Sequence, residues 1–87
     1  MIAARNGHRE AVRALLEAGA EVDHADNDGC TALHAAAEEG HVEVIQTLLE
    51  AGADLNLRSH GRTALLFARV RNHLAAAHAL VQEGATE

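Results

Sequence analysis

Apolar residues come in short blocks along the chain, and within each block their spacing is helical. Val44, Ile45, Leu48 and Leu49 fall at i, i+1, i+4 and i+5, which predicts one buried face of a helix over residues 42–51. Ala32, Leu33, Ala35 and Ala36 predict a shorter helix with a small-residue face. Thr31 stands where an N-cap hydroxyl would accept a bond from a free backbone N–H. Gly40 and Gly52 stop the two helices, because a helix commonly ends on a residue at positive φ that glycine adopts without a Cβ clash. The intervening segments, residues 21–29 and 54–61, are polar with weak strand character. Asn27-Asp28-Gly29 is a turn signal within the first of them.

The pattern recurs. Residues 3–25 slid against 36–58 give 11 identities in 23 positions at an offset of 33, including Gly7 with Gly40 and His8 with His41. The block Leu15-Leu16-Glu17-Ala18-Gly19-Ala20 returns as Leu48-Leu49-Glu50-Ala51-Gly52-Ala53. Residues 29–55 match 61–87 at an offset of 32, through Gly29, Thr31, Ala32, Leu33, Ala36, His41, Leu48, Gly52 and Ala53. One residue is lost between Gly52 and Gly61. In the third unit the first-helix stop is Asn72, the next-best residue for the left-handed conformation. No unit can bury its apolar face alone, so the units must stack.

These residues resemble the ankyrin repeat, through Gly29-Cys30-Thr31-Ala32-Leu33-His34-Ala35-Ala36, Gly40-His41-Val42-Glu43-Val44 and Leu48-Leu49-Glu50-Ala51-Gly52-Ala53-Asp54-Leu55-Asn56. The resemblance covers essentially the whole chain and is most specific in the middle unit. It implies an all-α solenoid of stacked helix-turn-helix units joined by β-hairpin-like loops. The chain reads as a single domain of 87 residues, with a partial repeat at 1–25, a full repeat at 26–58 and a third at 59–87. Ala32 and Ala64 replace the family's proline, Leu66 and Met1 stand at its histidine position, and Arg69 stands where a small buried residue is usual. The first unit lacks its turn and most of its first helix, so a fragment of a longer array is one expectation. Asn56 sits where animal members resemble targets of asparagine hydroxylation, with Asp23 as its counterpart.

Composition narrows the function classes. Apolar residues make up 48%, too many for a disordered chain, and no apolar run approaches the ~20 residues of a membrane span. A lone cysteine, Cys30, excludes an internal disulfide, and the first residues show no signal peptide; both point to an intracellular, cytoplasmic setting, with the nucleus also open. Twenty alanines, no proline and Phe67 as the one aromatic favour closely approaching helices. The net charge of −6 argues against nonspecific nucleic-acid binding by the whole surface. Residues 14–57 hold ten acids and no Lys or Arg, whereas residues 58–78 hold Arg58, Arg62, Arg69 and Arg71 and no acid.

Catalytic and ligand-binding constellations are not legible. His8, His41 and His73 share one repeated position, which the resemblance assigns to packing and hydrogen bonding at the turn between helices. The same resemblance gives His34 a bond to neighbouring loop backbone. His24, His60 and His78 lack zinc-ligand spacing, so no metal is expected. Cys30 lies beside a helix N-terminus, where thiolate is favoured, without a base or oxyanion site around it. Glu38 and Glu39 are adjacent on a helix, point about 100° apart, and read as a solvated helix end. The glycines lie nine or more residues apart and form no phosphate cradle. The expectation is no enzyme, no cofactor and no small-molecule substrate.

What the resemblance implies instead is a concave protein-binding face of loop tips and first-helix edges. In the middle unit it comprises Asp26, Asn27, Asp28, Cys30, Glu38 and Glu39; in the third, Arg58, Ser59, His60, Arg62, Val70 and Arg71. Acidic and basic blocks would then be adjacent patches on one face, with Arg62 placed to pair with Glu38 or Asp28. The partner would be another protein, with nucleic acid not favoured for want of stacking aromatics. The alternative is a structural, self-associating fragment that stacks through an open amino-terminal end exposing Val12, Leu15 and Leu16.

Overall fold

The computed structural model describes residues 2–85. Six helices follow in order: α1 (Ile2–Arg5), α2 (Arg9–Glu17), α3 (Ala32–Glu39), α4 (Val42–Glu50), α5 (Ala64–Val70) and α6 (Leu74–Gln82). They form three antiparallel pairs, here units 1 to 3. The first helices α1, α3 and α5 pack side by side in one layer, and α2, α4 and α6 form the other. The resulting body measures 31 × 25 × 21 Å. Met1, at the family's histidine position, lies outside the described residues.

The helix starts are set by Thr31 and Thr63. Both have extended backbones, and their hydroxyls accept the N–H of His34 and Leu66 at 3.4 Å. In unit 2 the cap is reciprocal, since the N–H of Thr31 donates to His34 Nδ1 at 3.1 Å. That role usually falls to a glutamate or glutamine. With Nδ1 accepting, Nε2 carries the proton and donates to the Leu57 carbonyl, 2.9 Å away. His34 is buried, stands edge-on to Phe67 with ring centroids 5.4 Å apart, and so joins its own helix to the loop entering unit 3.

Gly40 ends α3 in the left-handed conformation (φ 74°), and its lack of a side chain has a second use. A Cβ there would lie 2.7 Å from the His73 ring, and one on Gly7 would lie 2.7 Å from the His41 ring. The histidines of units 2 and 3 thus rest on the preceding unit's glycine, and His41 Nε2 also bonds the Arg5 carbonyl at 2.8 Å. Gly52 shares the positive φ (92°) but faces open space. Asn72 does adopt positive φ, at 60°.

The loops carry little ladder structure: among the described residues the only bridge outside the helices joins Ser59 and Arg62. Their backbone bonds at 2.9 and 3.0 Å close a two-residue tip, with His60 and Gly61 both at positive φ as in the favoured hairpin turns. In unit 2 the Asp26 N–H donates to the Cys30 carbonyl at 3.0 Å, closing a three-residue tip of Asn27, Asp28 and Gly29. The residue missing from the third unit is therefore lost at the hairpin tip.

The core is lean. Val12, Leu33, Val44, Ile45, Leu48, Leu65 and Leu80 are its large aliphatics, interleaved with Ala4, Ala32, Ala36, Ala37, Ala64, Ala68, Ala76 and Ala77. The expected exposure of the amino-terminal end is only partly correct. Val12 is fully buried in the same cluster as Ala4 and Ile45, because the single turn of α1 packs on α2. Leu16 is half-buried, and Leu15 is 44% exposed.

Two outcomes follow for stability. Gly52→Ala should cost about 1–2 kcal/mol from backbone strain alone, and Gly40→Ala measurably more, because the His73 ring must also move; urea unfolding of both variants checks the order. Burial holds the His34 pKa below the ordinary 6.5, outweighing the main-chain bonds of Leu57 and Arg62 that act oppositely. The unfolded chain therefore binds a proton there more readily. The stabilisation is complete above the unfolded value and is lost as pH falls through the lower folded one. Urea midpoints should drop between pH values of about 7.5 and 5.5. His34→Leu should be weaker at the higher pH but flatter across the interval.

Candidate functional site

The loop tips of units 2 and 3 meet the carboxy-terminal ends of α1 and α3 around a cleft of about 160 Å3. Arg5, Asp26, Asp28, Cys30, Glu38, Ser59, His60 and Phe67 line it. The helices present Arg5, Glu38 and Phe67 in successive first-helix rows, and the hairpins bring Asp26, Asp28 and His60 over them. Of the residues singled out from the sequence, Asp26, Asn27, Asp28, Arg58, His60, Arg62, Val70 and Arg71 are exposed. Glu38, Glu39 and Cys30 are half-buried.

Asp26 organises its hairpin. Its Oδ1 accepts the N–H groups of Asp28 (2.9 Å) and Cys30 (3.0 Å). These bonds, with that from Cys30 the larger, hold its carboxyl below the ordinary carboxylate value, so it stays ionised. Asp23, in the same connecting segment, instead bridges to the next one, accepting the Asp54 N–H at 2.9 Å, and Asp54 in turn accepts the Asn56 N–H at 2.8 Å. Arg58 donates to the Gly61 carbonyl at 2.9 Å, tying its guanidinium to the hairpin tip of unit 3.

Three expectations for this face are corrected. Ser59 is not available to a partner: it is 1% exposed, and its hydroxyl donates to the Asp28 carbonyl at 3.0 Å, joining the two hairpins. Cys30 is not a favoured thiolate. Burial raises its pKa, and Asp26 and Glu38 reinforce the shift against the opposing charge of Arg5. Its thiol instead donates to the Thr31 carbonyl at 3.6 Å. Glu38 pairs across units with Arg5 at 2.8 Å and Arg71 at 3.4 Å, rather than with Arg62. Arg5 also approaches Glu39 at 3.6 Å, and Arg9 approaches Glu43 at 3.7 Å.

Acidic and basic residues are thus interlocked where the first helices end. They remain distinct at the hairpin tips, with Asp26 and Asp28 on one and Arg58 and Arg62 on the next. Exposed pairs of this kind contribute about 0–1 kcal/mol each. Phe67 was not singled out as a site residue. Its being the one aromatic in the chain was the available signal, and its place in the cleft comes from stacking next to His34.

Among the described residues no group of three or more metal-ligating side chains converges, and no helix is long and apolar enough to cross a membrane. At the cleft Arg5 and Glu38 are engaged in cross-unit pairs, and the Asp26 carboxylate in hairpin bonds.

Comparison with known proteins agrees with this architecture. The family described as "Ankyrin repeats (3 copies)" matches residues 1–86. A relative from Mus musculus, "Protein fem-1 homolog A-like", is 42% identical over 83 residues. The alignment covers 95% of this chain but 13% of the relative, so the chain spans only a small fraction of that protein's length. Repeat register, paired helices and the family match agree: the chain belongs to the ankyrin-repeat family.

Proposed function

We propose that the chain is a non-catalytic module that binds a partner protein through the face of hairpin tips and first-helix ends. Ankyrin repeats are generally protein–protein interaction modules. The observation that carries the finer reading is the cleft among Asp26, Asp28, Glu38 and His60, with Arg58, Arg62 and Arg71 one unit along. The hairpins are fixed by Asp26 and by the Ser59–Asp28 bond, so the face is formed before a partner arrives and loses little ordering entropy on binding. Opposed charges on neighbouring tips set orientation and association rate more than affinity. The single thiol supports an intracellular setting.

The test compares the wild type with an Arg58→Glu, Arg62→Glu, Arg71→Glu variant as bait in a cell extract, followed by association kinetics with the captured protein. The Arg13→Glu variant, altered on α2, serves as control. The triple change should slow association about tenfold at low salt, with the difference shrinking as salt rises. Equal rates for all three baits would remove this face from the account.

A further inference from the structure

The turn between α1 and α2 holds Asn6-Gly7, the one place in the chain where glycine follows asparagine. Asn6 is exposed, and its side-chain amide makes no hydrogen bond among the described residues. Gly7 has no Cβ to obstruct approach to its main-chain nitrogen. The N–H on that nitrogen is loosely held, since it bonds the Ala4 carbonyl at 3.3 Å, longer than an ordinary N–H···O bond. The remaining asparagines lack this combination. Asn27 precedes Asp28, whose N–H is taken up by Asp26 Oδ1 at 2.9 Å. Asn72 precedes His73, whose N–H bonds the Ala68 carbonyl at 2.8 Å. Asn56 precedes Leu57, which carries a branched side chain beside its nitrogen.

We infer that Asn6-Gly7 is a site of covalent self-modification, at which Asn6 is converted to aspartate and isoaspartate with water as the only co-reactant. The main-chain nitrogen of Gly7 attacks Cγ of Asn6. A Cγ–N bond forms, the Cγ–Nδ2 bond breaks, and ammonia leaves with the proton that Gly7 N–H gives up. The product is a succinimide ring, in which both carbonyl carbons of residue 6 are bonded to the Gly7 nitrogen. Water then opens the ring in one of two ways. Attack at Cγ leaves the main chain as it was and yields aspartate. Attack at the main-chain carbonyl carbon leaves the chain running through Cγ and yields isoaspartate. Its α-carboxylate is the substrate class of a carboxyl methyltransferase that uses S-adenosylmethionine.

The position of Asn6 gives the two products different consequences. It separates the two main-chain points on which His41 rests: the Arg5 carbonyl, 2.8 Å from Nε2, and Gly7, where even a Cβ would lie 2.7 Å from the ring. Isoaspartate inserts one methylene into the main chain between them, so the ring cannot keep both contacts. Aspartate keeps the spacing and adds only a carboxylate, and Glu39 already carries one at the equivalent place of unit 2. The isoaspartyl branch is therefore a slow, one-way loosening of the junction between units 1 and 2. It acts at the helix turn and does not depend on the hairpin-tip charges or on any partner.

The test ages the folded full chain in mildly alkaline buffer, with a urea-unfolded sample beside it. Peptide mapping by mass spectrometry follows ammonia loss at each asparagine, and labelling by an isoaspartate-specific carboxyl methyltransferase reports the isoaspartyl product. In the folded chain Asn6 should convert several-fold faster than Asn27, Asn56 and Asn72, and the Asn6→Gln variant should gain no methyl label at this turn. The isoaspartyl form, separated by chromatography, should unfold at a lower urea concentration than the parent and lose the slow exchange of the His41 Nε2 proton. The Asn6→Asp variant, which carries the charge without the extra methylene, should match the parent in both. Asn6 remaining intact in the folded chain while the unfolded chain converts overturns the proposal. An isoaspartyl form with the urea midpoint and His41 signal of the parent overturns it equally.

Discussion

Two imidazoles of the middle unit hold the stack together. His34 donates through Nε2 to the Leu57 carbonyl on one side, and His41 bonds the Arg5 carbonyl on the other. Both reach main-chain acceptors, so the grip depends on backbone placement and not on the identity of Leu57 or Arg5. The rest of the fold serves these two contacts. Thr31 presets the His34 ring by donating to Nδ1, and Gly7 leaves room for the His41 ring. With a core of alanines and a few aliphatics in 87 residues, directional bonds of this kind fix the register that bulky side chains fix elsewhere.

The same economy shapes the face of hairpin tips and first-helix ends. The hairpins are not a sheet, and each is held by side-chain bonds to its own and its neighbour's backbone, through Asp26 and Ser59. Charges nearest the helix ends are consumed in cross-unit pairs around Glu38, whereas those at the hairpin tips remain turned to solvent. Cross-unit pairing and exposed charge are thus divided between neighbouring residues of one row. The first-helix ends tie units together, and the tips leave their charged side chains exposed.

Most of the architecture was legible because the repeat carries it. The glycine spacing, Thr31 as cap and Asn72 as a left-handed stop all follow from backbone requirements that only a few residue types satisfy. The one-residue deletion was visible too, but its position at the hairpin tip required the pairing of Ser59 with Arg62. What escaped was set by neighbours distant in sequence. Ser59 looked like a loop-tip residue and is buried by the preceding hairpin. Cys30 looked activated by its helix and is governed by burial and by Asp26. Glu38 found Arg5 and Arg71, 33 residues away on either side, instead of Arg62. Val12 was closed off by one turn of α1 that the truncated first unit did not advertise.

The most direct measurement of the central claim is nitrogen-15 NMR of the histidine rings in the folded chain near neutral pH. His34 and His41 should each show an Nε2–H proton in slow exchange with water, His34 with an unprotonated Nδ1, and the His34 proton should correlate through its hydrogen bond with the Leu57 carbonyl carbon. A His34 ring in the opposite tautomer, or one exchanging as fast as the exposed His24 and His78, would contradict it.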